Sequence, residues 1–179
     1  MPAFPAAPSP PPAPPVPLAE LLAREELGLR LIAGPGEAEL LWVHASEMAD
    51  PYPYLLGGEL LLSAGVLLTD PDAYVARLVE AGAAALGFGV RPVHEAVPPE
   101  LVAACDRHGM ALVEVPPGTP FTAIARAVWG LMAAAREREL RRVTRAQQAL
   151  ATAAARPGPV PEVLRRLAAR PSSRAASQI

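Results

Sequence analysis

Apolar positions in this chain fall into short blocks separated by polar turns, and the blocks have the lengths of strands and helices. Five apolar runs have the length of buried strands, and they occupy residues 29–33, 40–45, 58–65, 85–90 and 111–116. Helical spacing follows an early proline in two further segments, residues 69–84 and 98–109. Because helix and strand alternate there, the pattern predicts an α/β domain with a mixed, largely parallel sheet flanked by helices.

The two ends of this pattern are helical as well. Residues 18–28 read as a short helix closed by Gly28, where a glycine suits the end of a helix. A longer helix begins at Phe121, and its apolar residues recur every three or four positions up to Ala135. After Arg136 the apolar positions thin out. We therefore expect a long C-terminal linker helix that projects from the domain or pairs with a second copy.

Composition divides the chain into four segments. Residues 1–17 hold nine prolines and no charge, which predicts an extended or disordered arm outside the fold. Residues 18–135 form the predicted α/β domain. Residues 136–156 form the predicted linker or dimerisation helix. Residues 157–179 predict one short amphipathic helix and a flexible tail.

Charge is distributed unevenly along the chain. Residues 18–135 carry six Arg and 15 acidic residues, whereas residues 136–179 carry ten Arg and three acidic residues. An acidic body is a poor electrostatic match for nucleic acid, so no direct DNA binding by this chain is expected. The basic C-terminal segment reads as a solvated helix face, with phosphate contact as the alternative.

Several classes of protein are excluded by composition. All 16 basic residues are Arg, and the absence of Lys excludes a Walker A nucleotide site and a Schiff-base enzyme. One Cys excludes an intramolecular disulfide framework. No apolar stretch reaches the length of a membrane span, and the N-terminus lacks the features of a secretory signal. A cytoplasmic protein without a cofactor is expected.

A cluster of polar residues follows the strand at residues 40–45, in a position where α/β sheets place ligands. Its members are His44, Ser46, Glu47 and Asp50. Three interpretations are open: a ligand contact, a loop held by side-chain bonds to backbone, or a catalytic site. Catalysis is the weakest, because no G-x-S-x-G elbow and no deaminase motif accompanies these residues.

Other candidates for ligand contact are glycines and polar residues near strand ends. These are Gly58, Glu59, Ser63, Gly87 and Gly89. The glycines would let backbone approach a ligand or would only form tight turns. Phe88 and Tyr54 would be available to stack on a ring.

Metal and dinucleotide sites are not supported by the motifs. Cys105 and His108 stand three apart without a second pair of ligands, so no metal site is expected and Cys105 reads as a small buried residue. No G-x-G-x-x-G is present.

The order of several segments resembles the N-terminal domain of PucR-type regulators, the purine catabolism regulator-like domain. The segments are LRLIAG, WVHASEMADPYPYLLGGELLLSAG, AGAAALGFGV, VPPELVAACDRHGMALVEVP and PFTAIARAV. The resemblance covers about residues 18–132. It implies a sensory domain of a bacterial transcription factor. Such proteins continue into a GGDEF-like region and a C-terminal helix-turn-helix, and neither can be placed in this chain.

The function expected from the resemblance is non-enzymatic sensing of a purine-related or other small metabolite. The nine candidate contacts named above would read the polar edges of the ligand, and the chain would form a homodimer through the helix at residues 121–150. One alternative is a stand-alone dimerisation or partner-binding module without a small-molecule ligand. Another is a small hydrolase that uses His44 with Ser46 or Ser63.

Overall fold

A computed structural model describes residues 14–155 of the chain. The strands are β1 (Val16–Pro17), β2 (Arg30–Ala33), β3 (Glu39–Leu40), β4 (Trp42–Ala45), β5 (Glu59–Ser63), β6 (Ala85–Gly89) and β7 (Ala111–Val115). The helices are α1 (Leu18–Leu22), α2 (Pro71–Glu80), α3 (Pro99–His108) and α4 (Phe121–Ala154), with 3-10 turns at Glu25–Leu27 and Tyr52–Tyr54. The chain divides into two compact units, Met1–Arg136 and Glu137–Ile179, each described by itself.

The first unit contains a five-stranded sheet in the order β2-β7-β6-β5-β4. Strands β4, β5, β6 and β7 run parallel, and β2 pairs with β7 in the antiparallel sense. The predicted mixed, largely parallel sheet is therefore confirmed. A separate antiparallel pair joins β1 to β3. Strand β4 is an edge of the large sheet, which matters for the site described below.

Helices cover both faces of the sheet, and each face has its own apolar core. One core joins Leu60, Leu62 and Val113 to α1 and to the buried side of α4. The other joins Leu61, Leu86 and further strand residues to α2 and α3. Strands covered on both faces have no polar face, and this explains why β5 and β6 are buried at every position.

Local sequence signals account for the two central helices. In α2, the Asp70 carboxylate accepts a hydrogen bond from the Ala73 amide, and Pro71 occupies the first turn. Gly109 ends α3 in the left-handed conformation that glycine adopts without strain. Tyr74, Val75 and Leu78 form the buried face of α2, and Val79 is exposed.

The fold begins earlier than the sequence indicated. Residues 1–17 were expected to lie outside it, but Val16 and Pro17 form β1, and Val16 is buried in the core. Val16 packs in one core with Leu18 and Leu21 of the neighbouring helix, and composition alone could not reveal this packing. The helix expected over residues 18–28 is also divided. It consists of α1 and the 3-10 turn that ends at Gly28. Residues 1–13 and 156–179 lie outside the described part of the chain.

The described portion of the second unit, residues 137–155, is the later part of α4 followed by Ala155. Its side chains are mostly exposed, as the thinning of apolar positions predicted. Neighbouring charges form ion pairs along the helix, from Arg141 to Glu137 at 2.5 Å and from Arg142 to Glu139 at 3.7 Å. Such exposed pairs each stabilise a helix by only about 0.3–0.5 kcal/mol.

Candidate functional site

The carboxyl ends of β4 and β5 are joined by the side chain of Glu47. Its carboxylate accepts hydrogen bonds from the Ser63 hydroxyl at 3.0 Å and from the backbone amides of Ala64 at 2.6 Å and Val66 at 3.2 Å. Ser63 in turn accepts a bond from the Gly65 amide at 3.0 Å. Glu47 therefore fixes the loop that leaves β5.

Aromatic side chains fill the rest of this edge. Nε2 of His94 lies 3.1 Å from the carbonyl oxygen of Gly65, and its ring centroid is 5.3 Å from that of Phe88. Phe88 is fully buried, so it cannot stack on a ligand as the sequence had indicated. Glu47, His94 and Phe88 thus occupy part of the strand ends where parallel sheets often bind ligands.

The hydroxyl of Tyr74 is buried near the same edge. Burial raises the pKa of Tyr74 to about 12, whereas the neighbouring Ser63 hydroxyl lowers it and the Glu47 carboxylate raises it. The Tyr74 hydroxyl nevertheless has no hydrogen-bond partner in suitable geometry among the described residues. Ser63 already donates to Glu47 and accepts from Gly65. Tyr74 is therefore a buried polar group that the fold leaves unsatisfied.

Ser46 and Asp50 serve the loop between β4 and β5. The Ser46 hydroxyl accepts from the Met48 amide at 3.2 Å, and the Asp50 carboxylate accepts from the Tyr52 amide at 3.2 Å. Arg77 donates to Asp50 at 3.0 Å and lies over the Tyr52 ring, 3.8 Å from its centroid. The hydrogen bond from Arg77 lowers the pKa of Asp50. These contacts stabilise the loop and link it to α2.

An apolar groove lies along the edge strand β4, on the first unit. It has a volume of about 720 Å³, within the range of about 300–1,000 Å³ usual for small-molecule sites. Three parts of the chain line it: residues 41–44, the segment that leads into β5, and α4. The contributing side chains from the last two are Tyr54, Leu56, Glu59, Trp129, Met132, Ala133 and Arg136.

Glu59 is the buried charged group of this groove, with 3% of its surface exposed. Its carboxylate accepts hydrogen bonds from the backbone amides of Leu56 at 2.5 Å and Gly57 at 2.9 Å. Trp42, the register partner of Glu59 on β4, donates from Nε1 to the Gly57 carbonyl oxygen at 3.3 Å. Glu59 and Trp42 thereby hold the Gly-Gly turn between them.

Two aromatic residues of the groove are unusually exposed, whereas Trp42 is partly buried. Trp129 is 69% exposed and Tyr54 is 59% exposed. Leu56 adds a further exposed apolar side chain at the same place. Contiguous exposed apolar surface on a protein often marks an interaction site. Both tryptophans of the chain, Trp42 and Trp129, line this groove.

The nine residues expected to contact a ligand are distributed over several places. His44 and Glu59 both line the groove, whereas Glu47 and Ser63 meet at the ends of the strands. The candidate glycines pack closely against neighbouring side chains. A Cβ atom would lie 2.6 Å from Leu41 at Gly58, 2.5 Å from Leu62 at Gly87 and 3.0 Å from Phe121 at Gly89.

Sequence reasoning missed most of the groove's lining, including four large side chains that lie on two distant elements. Trp42 was read only as part of a strand, and Trp129, Met132 and Arg136 only as parts of a helix. The position of Trp129 on the predicted helix was the signal in the sequence that could have identified it. A large aromatic residue one position after Val128, and therefore off the buried stripe, is expected to have another purpose.

Residues 14–155 show no arrangement suited to metal binding, and Cys105 is buried. This part of the chain contains no group of three or more His, Cys, Asp or Glu side chains arranged to hold a metal ion. Cys105 is buried in the core as predicted, and burial raises the pKa of its thiol to about 12. None of the described helices has the length and apolar character needed to span a bilayer.

Comparison with known proteins connects this fold to a family. Residues 20–132 match PucR, the Purine catabolism regulatory protein-like family, over more than half of the chain. The chain belongs to the PucR family. The PucR match extends through β4, Glu59 and Trp129, so it includes most of the groove.

Two similar proteins are informative about the extent of the match. The transcriptional activator PmfR of Paenarthrobacter nicotinovorans is 30% identical over 118 residues, which cover 61% of this chain and 24% of PmfR. This PucR-family chain therefore spans about a quarter of the length of that relative. A solved structure of the CBS and DRTGG domains of the regulatory region of Clostridium perfringens pyrophosphatase, with diadenosine tetraphosphate, has a TM-score of 0.41 and 13% identity. It covers 62% of this chain and 45% of that one.

Proposed function

We propose that this chain is the sensory domain of a bacterial PucR-type transcriptional regulator and that the groove along β4 binds its effector. The effector class is a purine-related or other small metabolite, and the role is regulatory, not catalytic. Membership of the PucR family and the similarity to a transcriptional activator support the regulatory role. The observation that carries the site is the groove itself, about 720 Å³ in volume and lined by both tryptophans beside a buried carboxylate.

The position of the groove also suggests how binding would be communicated. Trp129, Met132 and Arg136 lie on α4, while Trp42 and Glu59 lie on the sheet. A ligand between them would contact both elements. A ligand shifts the equilibrium between two conformations only when it binds one of them more tightly than the other. If α4 has a different position in the two conformations, the contacts of the ligand with α4 supply this difference in affinity.

Tryptophan fluorescence and thermal unfolding of the full chain test this proposal. The panel contains purines, ureides such as allantoin, and nucleotides, with excitation at about 295 nm. An effector at about 100 times its dissociation constant adds about 2.7 kcal/mol of stability, which raises the Tm by about 5 °C or more. It should change the fluorescence as well, because both tryptophans line the groove.

Two substitutions separate binding in the groove from binding elsewhere. Trp129→Ala removes an exposed wall of the groove and should abolish the Tm shift with little loss of stability. Val79→Ala removes an exposed apolar side chain from α2, outside the groove, and should leave the shift intact. A ligand whose effect survives Trp129→Ala binds elsewhere, and an empty panel counts against small-molecule sensing.

We also propose that the chain forms a homodimer through α4, an assembly that fits both the sensing role and the alternative of a dimerisation module without a ligand. Within the second unit, Leu140 is 62% exposed and Val143 is 42% exposed. Leu150 follows seven positions after Val143, so the three residues have the spacing of a coiled-coil seam.

Light scattering on the full chain at several concentrations tests the dimer. Leu140→Glu should convert a dimer to a monomer, because a charge at the centre of an apolar seam is costly to bury. Gln148→Glu adds the same charge outside the seam and should leave the dimer intact. A wild-type chain that remains monomeric, or a dimer unaffected by Leu140→Glu, contradicts this assembly.

A further inference from the structure

The charge of Glu59 has no cationic partner within the described part of the chain. No Arg or His among residues 14–155 forms an ion pair with it, although 3% exposure removes it almost completely from water. Two backbone amides satisfy part of its hydrogen-bonding capacity. An ionised carboxylate offers about four acceptor sites, so the two amides do not use all of its hydrogen-bonding capacity.

The surroundings of this carboxylate are aromatic. Trp42 is its neighbour across the strand pair, and Tyr54 and Trp129 line the same groove. The faces of aromatic rings attract cations, with Trp the most effective, and such attraction strengthens where water is excluded. A buried carboxylate and three aromatic residues in one groove therefore favour a positively charged occupant.

Arg136 also lines the groove and opposes this preference, but its setting weakens its influence. Arg136 is exposed, whereas Glu59 is buried. Salt and water screen an exposed charge over about 8–10 Å, and a buried charge is screened much less. Arg136 also stands seven residues beyond Trp129, about 10 Å farther along α4. The buried Glu59 carboxylate therefore acts with less screening than the exposed Arg136 guanidinium.

We propose that the ligand of this groove is an organic cation with an aromatic or apolar body, such as a protonated amine or a cationic nitrogen heterocycle. The cationic centre would be held by the Glu59 carboxylate and the rings of Trp42 and Trp129. The apolar body would pack against Leu56 and Met132. This inference rests on the proposed function, because it assigns a ligand class to the same groove.

Three probes that share one ring and differ in charge test the inference on the full chain. They are benzyltrimethylammonium, benzyl alcohol and benzoate, titrated at constant ionic strength while tryptophan fluorescence is excited at about 295 nm. The expected result is saturable quenching by benzyltrimethylammonium, with an affinity at least about tenfold above that of the neutral and anionic probes.

Variants assign that preference to individual residues. Trp129→Ala should weaken binding of benzyltrimethylammonium by about fivefold or more, reported by the remaining Trp42, while Val79→Ala should not. Glu59→Gln should reduce the discrimination between the cation and benzyl alcohol, and the attraction to the rings of Trp42 and Trp129 should account for what remains. If Glu59→Gln fails to fold, Trp129→Ala and the comparison of the three probes still decide the result.

The outcomes distinguish this inference from the proposed function. Benzoate or benzyl alcohol could bind more tightly than the cation and lose that binding in Trp129→Ala. This result overturns the cation assignment and leaves the groove as a ligand site. Binding of none of the three probes, together with no response to the effector panel, overturns both. Preferential binding of the cation that Trp129→Ala leaves unchanged places the site outside the groove and also overturns the inference.

Discussion

Single carboxylates hold the loops of this domain at two positions. Glu47 secures the loop after β5 through three hydrogen bonds, and Glu59 secures the turn before β5 through two. Hydrogen bonds to a charged group contribute about 1.5–3 kcal/mol each, more than bonds between neutral groups. Each residue therefore has a structural role that must be separated from any contact with a ligand.

Glu47→Ala should lower the free energy of unfolding by about 2–4 kcal/mol, because it leaves the amides of Ala64 and Val66 without their partner. Urea denaturation followed by circular dichroism measures the change. Glu80→Ala removes an exposed carboxylate on α2 and should change stability by less than about 0.5 kcal/mol. Equal effects of the two substitutions would show that the Glu47 bonds contribute little.

Tyr74→Phe should leave stability unchanged or raise it by about 1 kcal/mol. The Tyr74 hydroxyl is buried without a partner, so its removal relieves a desolvation cost without breaking a hydrogen bond. Tyr54→Phe, at an exposed position, is the control and should be neutral. A loss of 1 kcal/mol or more from Tyr74→Phe would mean that Ser63 or a bound water satisfies the hydroxyl.

At the scale of elements, a close contact between two backbone segments constrains the pairing of β2 with β7. Gly34 follows β2 with a φ of 70°, and a Cβ atom there would lie 2.0 Å from the backbone oxygen of Met110. Neither backbone can move without disturbing the pairing of β2 with β7. Nothing in the sequence around Gly34 indicates this contact.

Alanine substitutions at two glycines should therefore have opposite effects on unfolding by urea. Gly34→Ala should cost at least about 2 kcal/mol, since it combines a left-handed conformation with a backbone clash. Gly130→Ala should add about 0.5–1 kcal/mol, because the position lies within α4 with open space around it. Similar changes at both positions would contradict the close approach at Gly34.

At the scale of the whole molecule, burial makes stability depend on alkaline pH. The pKa values of Cys105 and Tyr74 are both raised to about 12 by burial, from ordinary values of 9.0 and 10.0. In both cases the folded state retains a proton that the unfolded state releases first. The stabilisation is complete below pH 9 and is lost as the pH rises towards 12.

The free energy of unfolding should therefore fall above pH 9, by about 1.4 kcal/mol per pH unit for each group that has begun to titrate in the unfolded chain. Urea denaturation at pH 8, 9, 10 and 11 measures the slope. Tyr74→Phe should reduce the slope above pH 10 and leave the slope between pH 9 and 10 unchanged. A profile that is flat up to pH 11 would contradict the burial of both groups.

The sequence by itself determined the order and type of most elements, although it missed β1 and did not separate α1 from the 3-10 turn after it. Apolar runs such as residues 58–65 predict buried strands, and Pro71 suits the first turn of α2. These features are local, because each depends on neighbours within a few residues. The order of several segments along residues 18–132 also carried the resemblance to the PucR family, and the family match confirmed that resemblance.

Only the tertiary structure decided where the groove lies and which candidates share it. Trp42 and Trp129 are far apart in sequence, and they line one groove because β4 is an edge strand and α4 packs on the adjacent face. The periodicity of apolar residues along an element indicates which side chains are buried, but it does not indicate which distant element packs beside them. The same limit explains why Glu47 and Glu59, near each other in sequence, belong to different places in the fold.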